Sequence, residues 1–407
     1  MKKTVLKKYA HLLAAVGINV KKGQEVIIKA ELDQPEFVRM LTAECYRLGA
    51  RRVTVDFSDQ RIDRLHAKHR TLTTLSELPS YELEKWRYRA EHLPSMIYLL
   101  SEDPDGMSDL DQAKIAKASR ARMKHIKPLR DRMENKYPWC IAAVPGEAWA
   151  KKVFPDLKKN AAIERLWEAI LHTSRCTDDP VAAWAAHNEN LARRCAYLNG
   201  LAIRSLHYTS KNGTDLTVGM MPEGLFLAGG EYTLDGHFFN PNIPSEEVFS
   251  TPKRGEAEGI VYATRPLSYN GQLIENFSVR FEGGKAVEIH AEKNEALLRE
   301  MIGMDEGAAY LGEVALVPYA SPINDCGILF YNTLFDENAV CHLALGRGFH
   351  NCVRDYETRS FEENTALGVN DSIIHEDFMI GADDLSIVAQ CENGQRIEIF
   401  KDGNWSF

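Results

Sequence analysis

The stretch that decides the fold of the N-terminal half is residues 25–57. It reads Glu25-Val-Ile-Ile-Lys-Ala30, then the segment Pro35–Leu48, then Arg52-Val-Thr-Val-Asp-Phe57. Val26, Ile27 and Ile28 form a short continuous apolar run, as expected of a strand buried on both faces. Pro35–Leu48 has helical apolar spacing, with Pro35 in the first turn and Gly49 at the C-cap. Val53, Val55 and Phe57 alternate and predict a second strand. The unit is β-α-β, so the two strands should lie parallel with a right-handed crossover. Neither a Gly-x-Gly-x-x-Gly after the first strand nor a Gly-x-x-x-x-Gly-Lys-Ser/Thr is present, so a nucleotide site lacks its phosphate cradle.

Working outward, Leu6–Val16 carries Leu6, Tyr9, Leu12 and Leu13 at helical spacing, and Lys22-Gly23-Gln24 makes a turn. Further strands are predicted at Ser95–Leu100 and Trp139–Val144. Arg61–Tyr88 reads as a solvated helix pair, and Asp111–Met133 and Asn160–His172 as helices. Asp179 before Pro180 starts another helix, which runs to Asn199-Gly200. His187 and His207, on or after it, have no acid partner at ligand spacing and read as structural or solvated. Beyond Gly200 the pattern changes to short strands and glycine turns, at Asn212-Gly213, Asn270-Gly271 and Glu282-Gly283-Gly284. The expected fold class is an α/β N-terminal domain with a parallel sheet, residues 1–195. An α+β, largely antiparallel metal-binding domain, residues 196–407, follows it.

The 407 residues carry a formal charge of -9, with 44% hydrophobic and 26% charged residues. That composition supports real cores and argues against nucleic acid or an anionic membrane as the main partner. Eight dispersed cysteines with no Cys-x-x-Cys read as reduced thiols, which points to a cytoplasmic protein. Ala10–Val20 holds His11 and runs into Lys21-Lys22-Gly23, so it reads as a helix and turn rather than a signal peptide. No stretch is long and apolar enough to span a membrane.

The chemistry-bearing residues all fall in the second half. In Asn240–Pro252, Pro241 and Pro244 precede the adjacent acids Glu246 and Glu247, and Pro252 follows them. Two carboxylates fixed side by side repel unless a cation lies between them. Glu313 opens the apolar run Val314–Val317, His342 lies in Val340–Leu345, and His375-Glu376-Asp377 lies in Ile373–Ile380. Residues two apart on a strand share a face, so His375 and Asp377 can serve one ion. Two imidazoles and three or four carboxylates suit zinc, cobalt or manganese. They are too many for one tetrahedral site and about right for two ions sharing a carboxylate.

These motifs resemble those of the thermophilic aminopeptidases, peptidase family M29. The resemblance is carried by Asn242-Ile243-Pro244-Ser245-Glu246-Glu247-Val248-Phe249, by Arg265-Pro266-Leu267 with Asn270-Gly271, Leu273-Ile274 and Asn276-Phe277, and by His342-Leu343-Ala344-Leu345-Gly346. It continues in Asn370-x-Ser372-x-x-His375-x-Asp377-Phe378-Met379-Ile380-Gly381, and includes Gly17-Ile18-Asn19-Val20 with Gly23-Gln24 near the start. It implies a homodimeric metallo-aminopeptidase acting on peptides with a free N-terminus. It also implies two divalent metals, zinc first and cobalt or manganese as alternatives, held by Glu247, Glu313, His342, His375 and Asp377. A carboxylate not fully taken up by metal would act as general base, with Glu246 the first choice and Glu313 the second. One position departs from the family: Phe349 stands where a tyrosine is usual. A phenol there would donate a hydrogen bond, and His350 and Tyr356 are the nearby substitutes. Phe349 keeps open a second reading, a family member with lost activity or one acting on a non-peptide amide.

Overall fold

The computed structural model describes residues 1–269 and 271–407; Asn270, half of one expected turn signal, lies outside the described residues. The chain divides into two compact units, residues 1–186 with 230–244, and residues 187–229 with 245–407.

The first unit is built on four parallel strands: β1 (Glu25–Glu31), β2 (Arg52–Ser58), β3 (Ser95–Leu100) and β4 (Trp139–Ala143). Their order is β4-β3-β1-β2, and Asn242–Ile243 adds in parallel on the outer side of β4. The β-α-β reading holds: Glu25 pairs with Arg52 and Ala30 with Phe57. The crossover helix Pro35–Arg47 has Pro at its start and buries Phe37, Val38, Leu41 and Cys45. Gly49 follows at φ +105°, a conformation that costs a side-chain-bearing residue strain. Where a helix pair was expected over residues 61–88, three short helices form: Gln60–His69, Leu72–Ser76 and Ser80–His92. Thr71 and Pro79 punctuate the stretch: Thr71 caps the second helix through its hydroxyl, and Pro79 immediately precedes the third.

The second unit is mostly antiparallel. Ile203–Thr209 and Asp215–Met220 form the hairpin expected around Asn212-Gly213, with Gly213 at φ +103°. Gln272–Glu282 and Lys285–Lys293 pair across Gly283-Gly284. A separate five-stranded sheet runs in the order His375–Met379, His342–Gly346, Leu311–Leu316, Val248–Ser250, Leu227–Ala228. One face of that sheet, with Val314, Leu316, Leu343, Leu345 and Phe378, joins the main apolar core of the unit. All eight cysteines are free, and six are buried. Among the described residues no helix is long and apolar enough to cross a membrane.

The apolar face holds the sheet in place. Leu343, fully buried at its centre, should cost about 2–5 kcal/mol when replaced by alanine. Urea denaturation of Leu343→Ala checks this, and a change under about 1 kcal/mol would show that the face is not packed as described.

Candidate metal centre

The opposite face of the five-stranded sheet carries the polar residues, because strand alternation that sends Leu343 and Phe378 to the core sends their neighbours the other way. The register is specific. Glu313 lies opposite Ala344, and Ala344 opposite Asp377, so one row across three strands reads acid, alanine, acid. His342 and His375 lie two residues along from Ala344 and Asp377 respectively, on the same face. The alanine methyl between two carboxylates leaves space that a larger side chain would fill.

Distances show the convergence. His342 Nε2 is 3.3 Å from Glu247 Oε2 and 3.9 Å from Asp377 Oδ1. His375 Nε2 is 3.1 Å from Glu313 Oε2 and 3.4 Å from Asp377 Oδ1. The other ring nitrogen of His375 donates to the Arg347 carbonyl at 2.7 Å, which leaves Nε2 as the lone-pair nitrogen a cation needs. Two donor groups result, Glu247–Glu313–His342 and Glu313–His375–Asp377, with donor atoms in each within 4.8 Å of one another. Glu313 belongs to both. Asp377 Oδ1 is buried and makes no hydrogen bond, so it sits between two imidazoles with open lone pairs. Buried oxygen and imidazole donors of this kind fit a divalent cation of the zinc, cobalt or manganese type.

Not every expected residue joins these groups. Glu246 and Glu247 are adjacent in the chain, yet Glu247 turns to His342 while the Glu246 carboxylate lies 4.0 Å from His187 Nε2. His187 therefore has an acid partner after all, one too far away in sequence for ligand spacing to reveal. It is buried and bonds the Ser245 carbonyl at 2.8 Å. His207 likewise meets Asp215 at 2.8 Å across its hairpin. Phe349 packs edge-on against Phe249, ring centres 5.3 Å apart, and against the His375 ring at 4.9 Å. Of the two candidate substitutes, the buried His350 packs on Phe361 and Tyr356 packs against Met221, Val353 and Val369. The sequence reading missed Glu337 and Asn338. They lie in a one-turn helix beside the His375 strand. The available signal was a polar triplet, Asp336-Glu337-Asn338, between the apolar pairs Leu334-Phe335 and Ala339-Val340.

The electrostatics follow from burial. Loss of water raises Glu313 to about 7, against the pull of His375. Burial, then Asp377, Glu247 and Glu313, holds Glu337 well above the ordinary carboxylate range. Burial alone would lower His342, but the Glu247 hydrogen bond and the charges of Glu313 and Asp377 raise it to about 9. The same balance puts His375 well above its usual value. Asp377 goes the other way: the His375 charge overcomes burial and holds it below the ordinary range.

Buried acids and imidazoles on adjacent strands, arranged in two donor groups that share Glu313, have the chemistry of a candidate divalent-metal site. The chain belongs to the thermophilic metalloprotease (M29) family, whose description matches residues 2–405, and it is an enzyme of that metallopeptidase family. It is 40% identical to aminopeptidase AmpS of Bacillus subtilis (strain 168) over 404 residues, 99% of this chain and 98% of that one. It is 39% identical to aminopeptidase T of Thermus thermophilus over 403 residues, 98% of each chain. The solved structure of wild-type AmpT from Thermus thermophilus matches with a TM-score of 0.91 at 38% identity, covering all of both chains. A 2,5-dihydroxypyridine dioxygenase from Pseudomonas putida KT2440 shares the fold alone, with a TM-score of 0.52 at 14% identity.

The shifted groups predict a pH dependence for the metal-free protein. Glu313 and His342 both have folded values above their unfolded ones. Their contribution is therefore full at low pH and is lost as pH rises, through about 7 for Glu313 and about 9 for His342. Asp377 contributes across that whole window, since its loss comes only in acid. Melting of metal-stripped protein should fall steadily from pH 5 to pH 9.5, and added Zn²⁺ should flatten the slope by replacing protons. A flat profile without metal would contradict the assignment.

Proposed function

We propose that the protein is a metal-dependent aminopeptidase that releases N-terminal amino acids from peptides with two divalent cations. Glu247, Glu313 and His342 hold one cation, and Glu313, His375 and Asp377 the other. The observation that supports this reading is the membership of Glu313 in both donor groups, which suits a bridging carboxylate between two ions. The aminopeptidase half of the reading is supported by the names of the relatives that match nearly the whole chain.

Bound divalent cations supply Lewis-acid polarisation of the scissile carbonyl and bring the pKa of water toward about 7. The protein's own residues do the rest. Glu337, surrounded by Asp377, Glu247 and Glu313, has a high proton affinity that falls when positive charge fills the site. We assign it the role of taking a proton from the attacking water and returning it to the leaving amine. Glu246, paired with His187, is kept as the stabiliser of the ligand turn.

The test is hydrolysis of aminoacyl-anilides by metal-stripped protein with Zn²⁺, Co²⁺ or Mn²⁺ restored, beside N-acetylated controls. Cleavage should need metal and a free amine. Glu313→Gln, which removes a donor from both groups, should lose turnover and bound metal together while remaining folded. Full turnover in Glu313→Gln, or equal cleavage of the acetylated substrates, would overturn the reading.

A second reading, altered or lost hydrolase activity, is favoured by Phe349, which places a hydrocarbon ring against His375. Restoring a phenol in Phe349→Tyr should raise kcat at least about tenfold, toward the roughly 10²–10³ that one oxyanion donor is worth. An unchanged kcat would assign the ring to packing alone.

A further inference from the structure

We propose that Thr251 is a positioning residue: its hydroxyl locks the bulge that turns Glu313 toward the metal donors, and ties that bulge to the loop that orients His375. The proposal rests on the reading of Glu313 and His375 as metal ligands. Strand parity alone would misplace Glu313. Leu311 and Glu313 lie two residues apart on one strand, so a regular strand would send both side chains to the same face. Leu311 is instead part of the main apolar core, while Glu313 Oε2 lies 3.1 Å from His375 Nε2 on the opposite face. The pairing explains the difference. Leu311 lies opposite Leu345 but Glu313 lies opposite Ala344, so Gly312 is an extra residue in the ladder. Without that insertion Glu313 would lie opposite Leu343, with its carboxylate turned into the hydrocarbon of the core.

A bulge disrupts the ladder locally, and here the Thr251 hydroxyl meets the inserted residue. Thr251 is fully buried. Its Oγ1 donates to the Gly312 carbonyl at 2.7 Å and accepts the Phe349 N–H at 3.1 Å. One hydroxyl therefore links the residue before Glu313 to the loop 346–349. That loop carries the Arg347 carbonyl, which accepts from His375 Nδ1 at 2.7 Å. Bulge and loop also touch directly: a Cβ on Gly312 would overlap the Arg347 carbonyl oxygen, so the approach needs glycine. The insertion that aims one ligand thus packs on the carbonyl that orients the other. Thr251 holds the two through one donor and one acceptor. Valine has the same shape and offers neither, whereas serine keeps both.

The test is zinc titrated into the metal-stripped full chain against a competing chromophoric chelator. Thr251→Val should bind zinc at least about tenfold more weakly than the parent, as expected when a group that orients metal ligands is lost. Both zinc equivalents should weaken, because Glu313 serves both donor groups. Thr251→Ser should stay within about threefold of the parent. Ile399→Ala removes a fully buried side chain from a strand of the other antiparallel sheet. It should unfold at lower urea yet keep zinc affinity within about threefold, since distant sites act independently. If Thr251→Val does not fold, Thr251→Ala takes its place beside Thr251→Ser. Parental zinc affinity in the variant without the hydroxyl, or an equal loss in Thr251→Ser or Ile399→Ala, overturns the proposal while leaving the ligands assigned. Parental zinc affinity in Glu313→Gln overturns both.

Discussion

The arrangement depends on one electrostatic constraint: several carboxylates face one another where little water reaches them. Like charges repel far more strongly in such surroundings than in bulk solvent. Glu247, Glu313 and Asp377 are buried, and Glu337 feels all three. Without cations the protein answers by retaining protons, on both imidazoles and on the acids whose affinity burial has raised. Protons and divalent cations are thus alternative occupants of the same negative space, and the ordinary apolar packing of the opposite sheet face keeps that space from collapsing.

Much of this was legible in the sequence because it depends on short-range periodicity. The β-α-β unit at residues 25–57 has a buried apolar run, a capped helix and an alternating strand, and the structure pairs the two strands in parallel as expected. His375 and Asp377 were expected on one face because a strand repeats every two residues, and they meet at 3.4 Å. The illegible parts depend on distance along the chain. His187 finds Glu246, and Asn338 finds the Glu246 backbone, through folding that no local spacing records. Glu337 was hidden for a related reason. A polar triplet usually marks a solvated turn, and only the packing of the turn beside the His375 strand makes it part of the centre.

Phe349 shows how a departure from a family pattern is absorbed physically. The ring completes an apolar cluster with Phe249, Ala315 and Cys352, and it packs at a tilt against the His375 imidazole. The Phe349 backbone N–H is held at 3.1 Å by Thr251 Oγ1, which itself donates to the Gly312 carbonyl beside Glu313. The loop is therefore tied to the Glu313 strand whether or not a phenol is present. The position can exchange hydrogen bonding for packing without moving the residues around it.

The return of residues 230–244 to the first unit has a consequence for the nascent chain. Asn242–Ile243 completes the parallel sheet at the edge of β4, about a hundred residues after β4 itself has been synthesised. During translation that edge stays unpaired while the whole helix Pro180–Gly200 and the first hairpin of the second unit leave the ribosome. The acids that follow immediately, Glu246 and Glu247, emerge directly behind the strand that closes the sheet, and Glu313, His342, His375 and Asp377 emerge later still. The timetable of synthesis places completion of the scaffold ahead of assembly of the metal centre.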